Sequence, residues 1–127
     1  MYLGLVRPEE IPVVWPHVRF KLQRAIERVG LDRFDEEAVF DGRHLLWAAY
    51  DLEGVHAACT TALDVDGICT IVACGGKKMK QFLPLLSHIE FYYRNQGCKA
   101  MRIIGRRGWS RVLPDYKFKA IIIERPL

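Results

Sequence analysis

One stretch of the chain, residues 68–80, decides the fold, and it reads ICTIVACGGKKMK. Its first part, from Ile68 to Cys74, is apolar and rich in β-branched residues, a pattern that predicts a buried strand. The pair Gly75-Gly76 is predicted to end that strand, because adjacent glycines mark turns. Three lysines follow at the start of a segment with helical spacing. The stretch therefore predicts a strand, a tight turn and a helix with a basic first turn.

The helix after this turn is predicted from Lys77 to Gln96, since its apolar residues recur with the helical period and Gly97 is suited to end it. Pro84 lies inside this range, so the helix either begins near Leu83 or is kinked there. A strand from Cys98 to Ile104 follows, which completes a strand–helix–strand crossover. Such a crossover, beside hairpins in the middle of the chain, predicts a mixed sheet.

The rest of the chain supplies the other elements of this sheet. Before the deciding stretch, the patterns predict a strand, two helices and two strands, over Tyr2–Arg7, Ile11–Val29, Glu36–Phe40, Leu45–Tyr50 and Val55–Leu63. After it, they predict one helical turn and a final strand, over Trp109–Leu113 and Tyr116–Glu124. The expected class is α+β, a central twisted mixed sheet with helices on both faces, in the order β-α-α-β-β-β-α-β-short α-β. A length of 127 residues predicts one domain, residues 1–127.

Composition excludes several classes of protein. Half of the residues are hydrophobic and 27% are charged, so a globular chain is expected rather than a disordered one. No apolar run is long enough for a membrane span, and the N-terminus lacks the pattern of a signal peptide, so the expected location is the cytoplasm. The four cysteines form no C-x-x-C pair, and His56 and Cys59 are expected on opposite strand faces. Free thiols and no metal site are therefore predicted.

Charge is distributed unevenly along the chain. Residues 1–76 carry seven Lys or Arg and twelve Asp or Glu, whereas residues 77–127 carry twelve and three. A basic C-terminal part favours an anionic partner. The turn from Gly75 to Lys80 is the first candidate site, because a helix N-terminus presents free N–H groups and glycines let a phosphate approach the backbone. Lys77, Lys78 and Lys80 add full positive charges, so a diphosphate is the expected ligand there.

The order of elements resembles the GNAT fold of acyl-coenzyme A-dependent N-acyltransferases over nearly the whole chain. Three local segments carry the resemblance in detail: Arg7–Pro12 (RPEEIP), the strand that runs through Gly75-Gly76 into a basic helix, and Leu113–Phe118 (LPDYKF). The chain especially resembles short, divergent GNAT-like proteins of tailed phages and prophages. It departs from the family in its phosphate loop, since residues 73–80 do not match Q/R-x-x-G-x-G/A, and in its last hairpin, which is truncated.

The resemblance implies an N-acetyltransferase-like protein, active or catalytically degenerate, that binds acetyl-CoA or CoA. The implied cofactor-binding residues are Ile71, Val72, Ala73, Cys74, Gly75, Gly76, Lys77, Lys78 and Lys80. It implies Tyr116 as the acid that protonates the departing thiolate. The amine acceptor is not identified, a homodimer stays open, and a phage origin would allow a virion location.

Two alternatives from other classes remain open. The strand Ile68–Cys74 offers no carboxylate as a general base, although His56 and His88 could titrate near neutrality. A fold retained without chemistry, in a phage virion or host-interaction protein, is therefore one alternative. A nucleic-acid-binding module is the other, because basic and aromatic residues alternate near the C-terminus. These residues are Arg106, Arg107, Trp109, Arg111, Tyr116, Lys117 and Lys119.

Overall fold

The computed structural model describes residues 1–30, 34–103, 105, 108–117, 119 and 125–126. The strands are β1 (Tyr2–Leu5), β2 (Leu45–Asp51), β3 (Gly54–Leu63), β4 (Ile68–Gly76) and β5 (Ala100–Ile103). The helices are α1 (Ile11–Arg28), α2 (Glu36–Phe40), α3 (Met79–Phe82), α4 (Leu86–Asn95) and α5 (Trp109–Val112). Two 3-10 turns precede α1 and α4, at Pro8–Glu10 and Leu83–Leu85.

The five strands form one sheet in the spatial order β1-β2-β3-β4-β5. The pairs β1–β2, β2–β3 and β3–β4 are antiparallel, and the pair β4–β5 is parallel. Parallel neighbours need a long crossover, and the helices α3 and α4 supply it. The predicted α+β class and mixed sheet are confirmed.

Helices cover both faces of this sheet. On one side, the α1 face, α1 buries one stripe spaced three or four residues apart: Ile11, Trp15, Val18, Leu22 and Ile26. This stripe packs with α2 and with Leu46, Ala58 and Ala73 of the sheet. On the opposite side, the α4 face, the crossover buries Phe82, Leu86, Ile89 and Tyr93 against Cys59, Cys69 and Ile71. Each fully buried large apolar side chain contributes roughly 1.5–3 kcal/mol, so these two layers supply much of the stability.

The crossover is kinked, one of the two arrangements expected from Pro84. Helix α3 ends at Phe82, a 3-10 turn contains Pro84, and α4 begins at Leu86. Proline lacks the N–H group that a continuous helix would need there. The two segments still pack on the same sheet face, because Phe82 and Leu86 are four residues apart.

The strand predicted to stop at Cys74 extends two residues further and ends at Gly76. Both glycines remain in β4, where Gly75 pairs with Ala58 and Gly76 with Ala57 of β3. Pairing with a long neighbouring strand overrides the weak strand propensity of glycine. The other predicted elements agree with the structure to within a few residues at each end. The predicted final strand lies outside the described residues beyond Tyr116, apart from Lys117 and Lys119, and Tyr116 itself lies in a bend.

The four cysteines are free thiols, as predicted. Cys59 and Cys69 are buried, and Cys74 and Cys98 are half-buried. Among the described helices, none combines the length and apolar character that a membrane crossing requires.

Candidate functional site

A β-bulge interrupts β4 at Val72. Thr61 of β3 pairs with Ile71 and Thr60 pairs with Ala73, so Val72 has no partner in the β3 ladder. A bulge bends its strand and increases the local twist. The side chains of Val72 and Ala73 both pack with the α1-face cluster, whereas Ile71 lies in the α4-face cluster.

The pairing of β4 with β5 stops at the same level. The last described pair is Ile71 with Ile103, and Gly105 already lies in a bend. Within the described residues, the β4 segment from Ala73 to Gly76 therefore has β3 on one side and no strand on the other. Its outer backbone edge is open to hydrogen bonds with a ligand.

A narrow cleft occupies the space beside this open edge. Its volume is about 40 Å³, close to that of one water molecule, so a larger ligand requires the walls to move. Two walls are formed by β4 and by the C-terminal end of α1, and the others by β5 and α5. The lining residues are Ala25, Arg28, Val29, Ile71, Val72, Ala73, Cys74, Ile103 and Trp109. Four predicted cofactor-binding residues, Ile71 to Cys74, are thus brought together at the cleft.

The two glycines that follow are explained by packing. A methyl group on Gly75 would lie 3.1 Å from the carbonyl oxygen of Lys21 and 3.2 Å from Ala25 Cβ, so the glycine lets α1 approach the sheet closely. Gly76 has φ +134°, and a methyl group there would come within 2.6 Å of Ala57 Cα. The neighbouring N–H group of Lys77 donates to the carbonyl oxygen of His56 at 2.8 Å. Close contact between β3, β4 and α1 is sufficient reason for both glycines, without a phosphate.

The three predicted lysines lie at the start of α3 but have different surroundings. Lys78 adopts the left-handed conformation, with φ +57°, and its ammonium group lies 3.4 Å from Glu53 Oε2 and 3.6 Å from Asp51 Oδ2. Lys77 and Lys80 are exposed, and neither forms an ion pair with any described residue. Two full positive charges and the first N–H groups of α3 are therefore available to an anion.

A polar cluster that the sequence analysis did not identify lies beside Lys78. It joins Asp51, Glu53 and His56, and a bulge in β3 at His56 turns this residue out of the regular ladder. The Nε2–H group of His56 donates to Asp51 Oδ1 at 2.7 Å. This hydrogen bond is the main reason that the pKa of Asp51 falls to about 2, followed by the N–H group of Glu53. The ligand atoms of the three residues lie close enough for a metal ion, but the ammonium group of Lys78 already supplies the balancing positive charge.

Replacing Asp51 with asparagine is expected to lower the melting temperature at pH 7 and to have little effect near pH 2. A carboxyl group whose pKa is lower in the folded state stabilises the fold above its ordinary value near 3.8, and this stabilisation is lost as the pH falls towards 2. Thermal unfolding of both proteins between pH 2 and 7 measures the difference. Asp66→Asn, an exposed turn substitution, is the control. An Asp51→Asn effect of equal size at pH 2 and pH 7 would mean that charge is not the cause.

The predicted acid, Tyr116, lies near α4 and is not among the cleft-lining residues. Its hydroxyl group donates a hydrogen bond to Glu90 Oε2 at 2.7 Å. Burial, and then the Glu90 carboxylate, raise the pKa of Tyr116 well above its ordinary value. Its partner Glu90 belongs to α4, so the hydroxyl group lies on the α4 face. Neither His56 nor His88 lines the cleft, and His88 is exposed on α4.

Trp109 does not offer a free ring for stacking on a base. It is half-buried, lines the cleft and lies so close to Gly105 that a methyl group there would be 2.7 Å from its indole nitrogen. Arg106 and Arg107, the centre of the predicted basic cluster, lie outside the described residues. Arg111, Lys117 and Lys119 are exposed.

No family model and no curated protein matches the sequence. Solved structures do match the fold. An aminoglycoside acetyltransferase from an uncultured soil metagenomic sample aligns with a TM-score of 0.70 at 9% identity, over 99% of this chain and 95% of that one. An aminoglycoside N-acetyltransferase in complex with CoA aligns with a TM-score of 0.64 at 11% identity, over 99% of both chains. A GNAT family acetyltransferase of Staphylococcus aureus aligns with a TM-score of 0.61 at 11% identity, over 99% and 98%. The chain has the GNAT fold, as predicted.

Proposed function

We propose that this protein binds acyl-CoA beside β4 and transfers the acyl group to an amine. One observation carries the proposal: the bulge at Val72 coincides with the last described β4–β5 pair, which leaves, within the described residues, an open strand edge and a cleft at one level of the sheet. An open edge can hold the amide-bearing arm of CoA as a neighbouring strand would. A similar fold has been solved with CoA, which supports the choice of ligand.

The phosphates are assigned to the start of α3. Lys77 and Lys80 form no ion pair with any described residue there, and no side chain caps the first N–H groups of this short helix. Lys78 contributes less in this proposal, because Asp51 and Glu53 already neutralise its charge. Gly75 and Gly76 act by holding the strand against α1 and β3, and the phosphates need no contact with them.

The reaction forms a bond between the amine nitrogen and the acyl carbon and breaks the bond between that carbon and sulfur. The amine loses one proton to water, since no carboxylate or histidine among the described residues lines the cleft. The departing thiolate gains one proton. Tyr116 is the proposed hydrogen-bond donor to that sulfur, because it lies on the α4 face with Ile71 and stays protonated.

Acetyl-CoA is expected to raise the melting temperature by several degrees. A ligand that binds only the folded state, at about one hundred times its dissociation constant, adds roughly 2.7 kcal/mol to the free energy of unfolding. Lys77→Glu and Lys80→Glu are each expected to weaken binding about tenfold or more, since each removes a charge-assisted contact and adds repulsion. Calorimetry with acetyl-CoA and CoA measures the affinities directly.

The matched control is Lys99→Glu. It makes the same change of charge at an exposed site just before β5. The backbone N–H group of Lys99 donates to the carbonyl oxygen of Gly67, at the opposite end of β4 from α3. Equal weakening by all three variants would indicate general attraction of an anion rather than a site at α3. Absence of binding at millimolar acetyl-CoA would overturn the proposal and favour a fold kept for a protein partner, as in a virion or host-interaction protein. The phage resemblance and the single-domain boundary remain predictions.

A further inference from the structure

Arg28 is a charged residue in the cleft, and no described residue supplies a counter-charge to it. It is the last residue of α1, is exposed, and lines the cleft together with Ala25 and Val29. It forms no ion pair with any described residue. The other described lining residues are apolar, aromatic or cysteine, so Arg28 is the charged group among them. A guanidinium group in such a place recognises a carboxylate or phosphate, often through two parallel hydrogen bonds.

Helix α3 and helix α1, which ends at Arg28, pack on opposite faces of the sheet. Met79 and Phe82 of α3 pack in the α4-face cluster, whereas α1 packs against Val72 and Ala73 on the α1 face. Under the proposed function, a cofactor whose phosphates bind at α3 follows the open edge of β4, so that its thioester lies at the sheet edge, with Tyr116 on the α4 face and Arg28 on the α1 side. The group that meets Arg28 is then the incoming acceptor rather than the cofactor phosphates.

We propose that the acceptor is a small amine that also carries an anionic group, of the amino-carboxylate class, and that Arg28 binds its carboxylate. This inference rests on the proposed function. With the carboxylate on Arg28, the amine attacks the acyl carbon, gives one proton to water, and the thiolate leaves and is protonated. The indole of Trp109, which also lines the cleft, is the proposed contact for the apolar part of the acceptor. A polycation such as an aminoglycoside finds no acidic group among the described lining residues.

The test compares acceptors that differ only in the carboxylate. L-leucine against 3-methylbutylamine and L-tyrosine against tyramine form two such pairs, with kanamycin as a polycation. Release of CoA thiol from acetyl-CoA is measured for each, and binding of each to the CoA-bound protein is measured by calorimetry. We expect the carboxylate-bearing member of at least one pair to react with a kcat/KM at least tenfold higher.

Variants of Arg28 assign this preference to the residue. Arg28→Ala is expected to raise KM for the amino acid at least tenfold while the Kd of acetyl-CoA stays unchanged, and Arg28→Lys is expected to restore part of the affinity. Arg24→Ala is the control, because Arg24 is exposed on the same helix and does not line the cleft.

Three results would overturn the inference. A weaker Kd for acetyl-CoA in Arg28→Ala, with an unchanged acceptor KM, would assign the residue to the cofactor phosphates. Equal or better use of the amines without a carboxylate, or of kanamycin, would reject an anionic acceptor. The third result is a protein that binds acetyl-CoA but shows no turnover and no binding of any amino-carboxylate tested, which would also reject the inference. Failure of acetyl-CoA itself to bind is a different result, which rejects the proposed function first.

Discussion

Replacing Gly76 with alanine is expected to lower the free energy of unfolding by about 3 kcal/mol or more, a large effect for a single added methyl group. Two causes act together. The backbone of Gly76 has φ +134°, which L-residues rarely adopt, and the new methyl group would press against Ala57 and the carbonyl oxygen of His56. Backbone atoms in a paired strand cannot move aside without breaking the β3–β4 ladder. A loss of this size is a large fraction of the stability of an ordinary domain.

Two other glycines separate these causes in a urea-unfolding measurement. Gly42 has φ +86° with open space around its Cα, so Gly42→Ala carries the backbone strain alone. Gly108 has an ordinary helical conformation and open space, so Gly108→Ala is expected to be neutral or slightly stabilising. If Gly76→Ala costs no more than Gly42→Ala, the close approach of β3 and β4 at this point is contradicted. Because any side chain at Gly76 disturbs the ladder, the phosphate site is better tested at Lys77 and Lys80.

Replacing Tyr116 with phenylalanine is expected to lower kcat for acyl transfer about a hundredfold or more, with the Kd of acetyl-CoA unchanged. The variant keeps the ring and removes the hydroxyl group that would donate to the departing sulfur. In the resting protein this group donates to Glu90 at 2.7 Å, so the donor exchanges partners during the reaction. Steady-state kinetics and calorimetry on the same preparations measure the two quantities.

Glu90→Gln distinguishes a chemical role of Tyr116 from a structural one. Without the carboxylate, the pKa of Tyr116 moves down towards its ordinary value near 10, so the loss of activity at alkaline pH is expected to begin earlier than in the unmodified protein. A hydrogen bond that only ties residues 113–117 to α4 would leave the pH profile unchanged. An unchanged profile in Glu90→Gln, together with an unchanged kcat in Tyr116→Phe, would remove Tyr116 from the mechanism.

Local patterns were sufficient to predict the elements and their class. The helical stripe from Ile11 to Ile26 is buried as its spacing predicts. The short helix α2 covers the predicted range Glu36–Phe40, and the side chain of Asp35 just before it accepts a hydrogen bond from the N–H group of Ala38 at 3.1 Å. These features depend on residues within one or two turns of each other, so the sequence contains what is needed to read them.

The site depended on contacts between distant segments. The pattern of residues 68–80 predicted a strand, a turn and a basic helix, but Gly75 and Gly76 stay in the strand because Ala57 and Ala58 pair with them. A bulge is one unpaired residue in a ladder, and no pattern of residues 68–80 distinguishes Val72 from its neighbours. The polar cluster at His56 was only weakly indicated by the sequence, through two carboxylates shortly before a histidine. Lys78, which joins the cluster, comes from the connection between β4 and α3, far away in the chain.

The sequence by itself determined the order of strands and helices, the basic start of α3 and the candidate strand from Ile71 to Cys74. Only the tertiary structure decided that, among the described residues, this strand has an open edge, that Lys78 is neutralised while Lys77 and Lys80 have no ion-pair partner, and that Arg28 lines the cleft. The physical reason is range. Hydrophobic periodicity and capping act between residues close in the chain, whereas register, bulges and charge pairing are set where segments far apart in sequence come into contact.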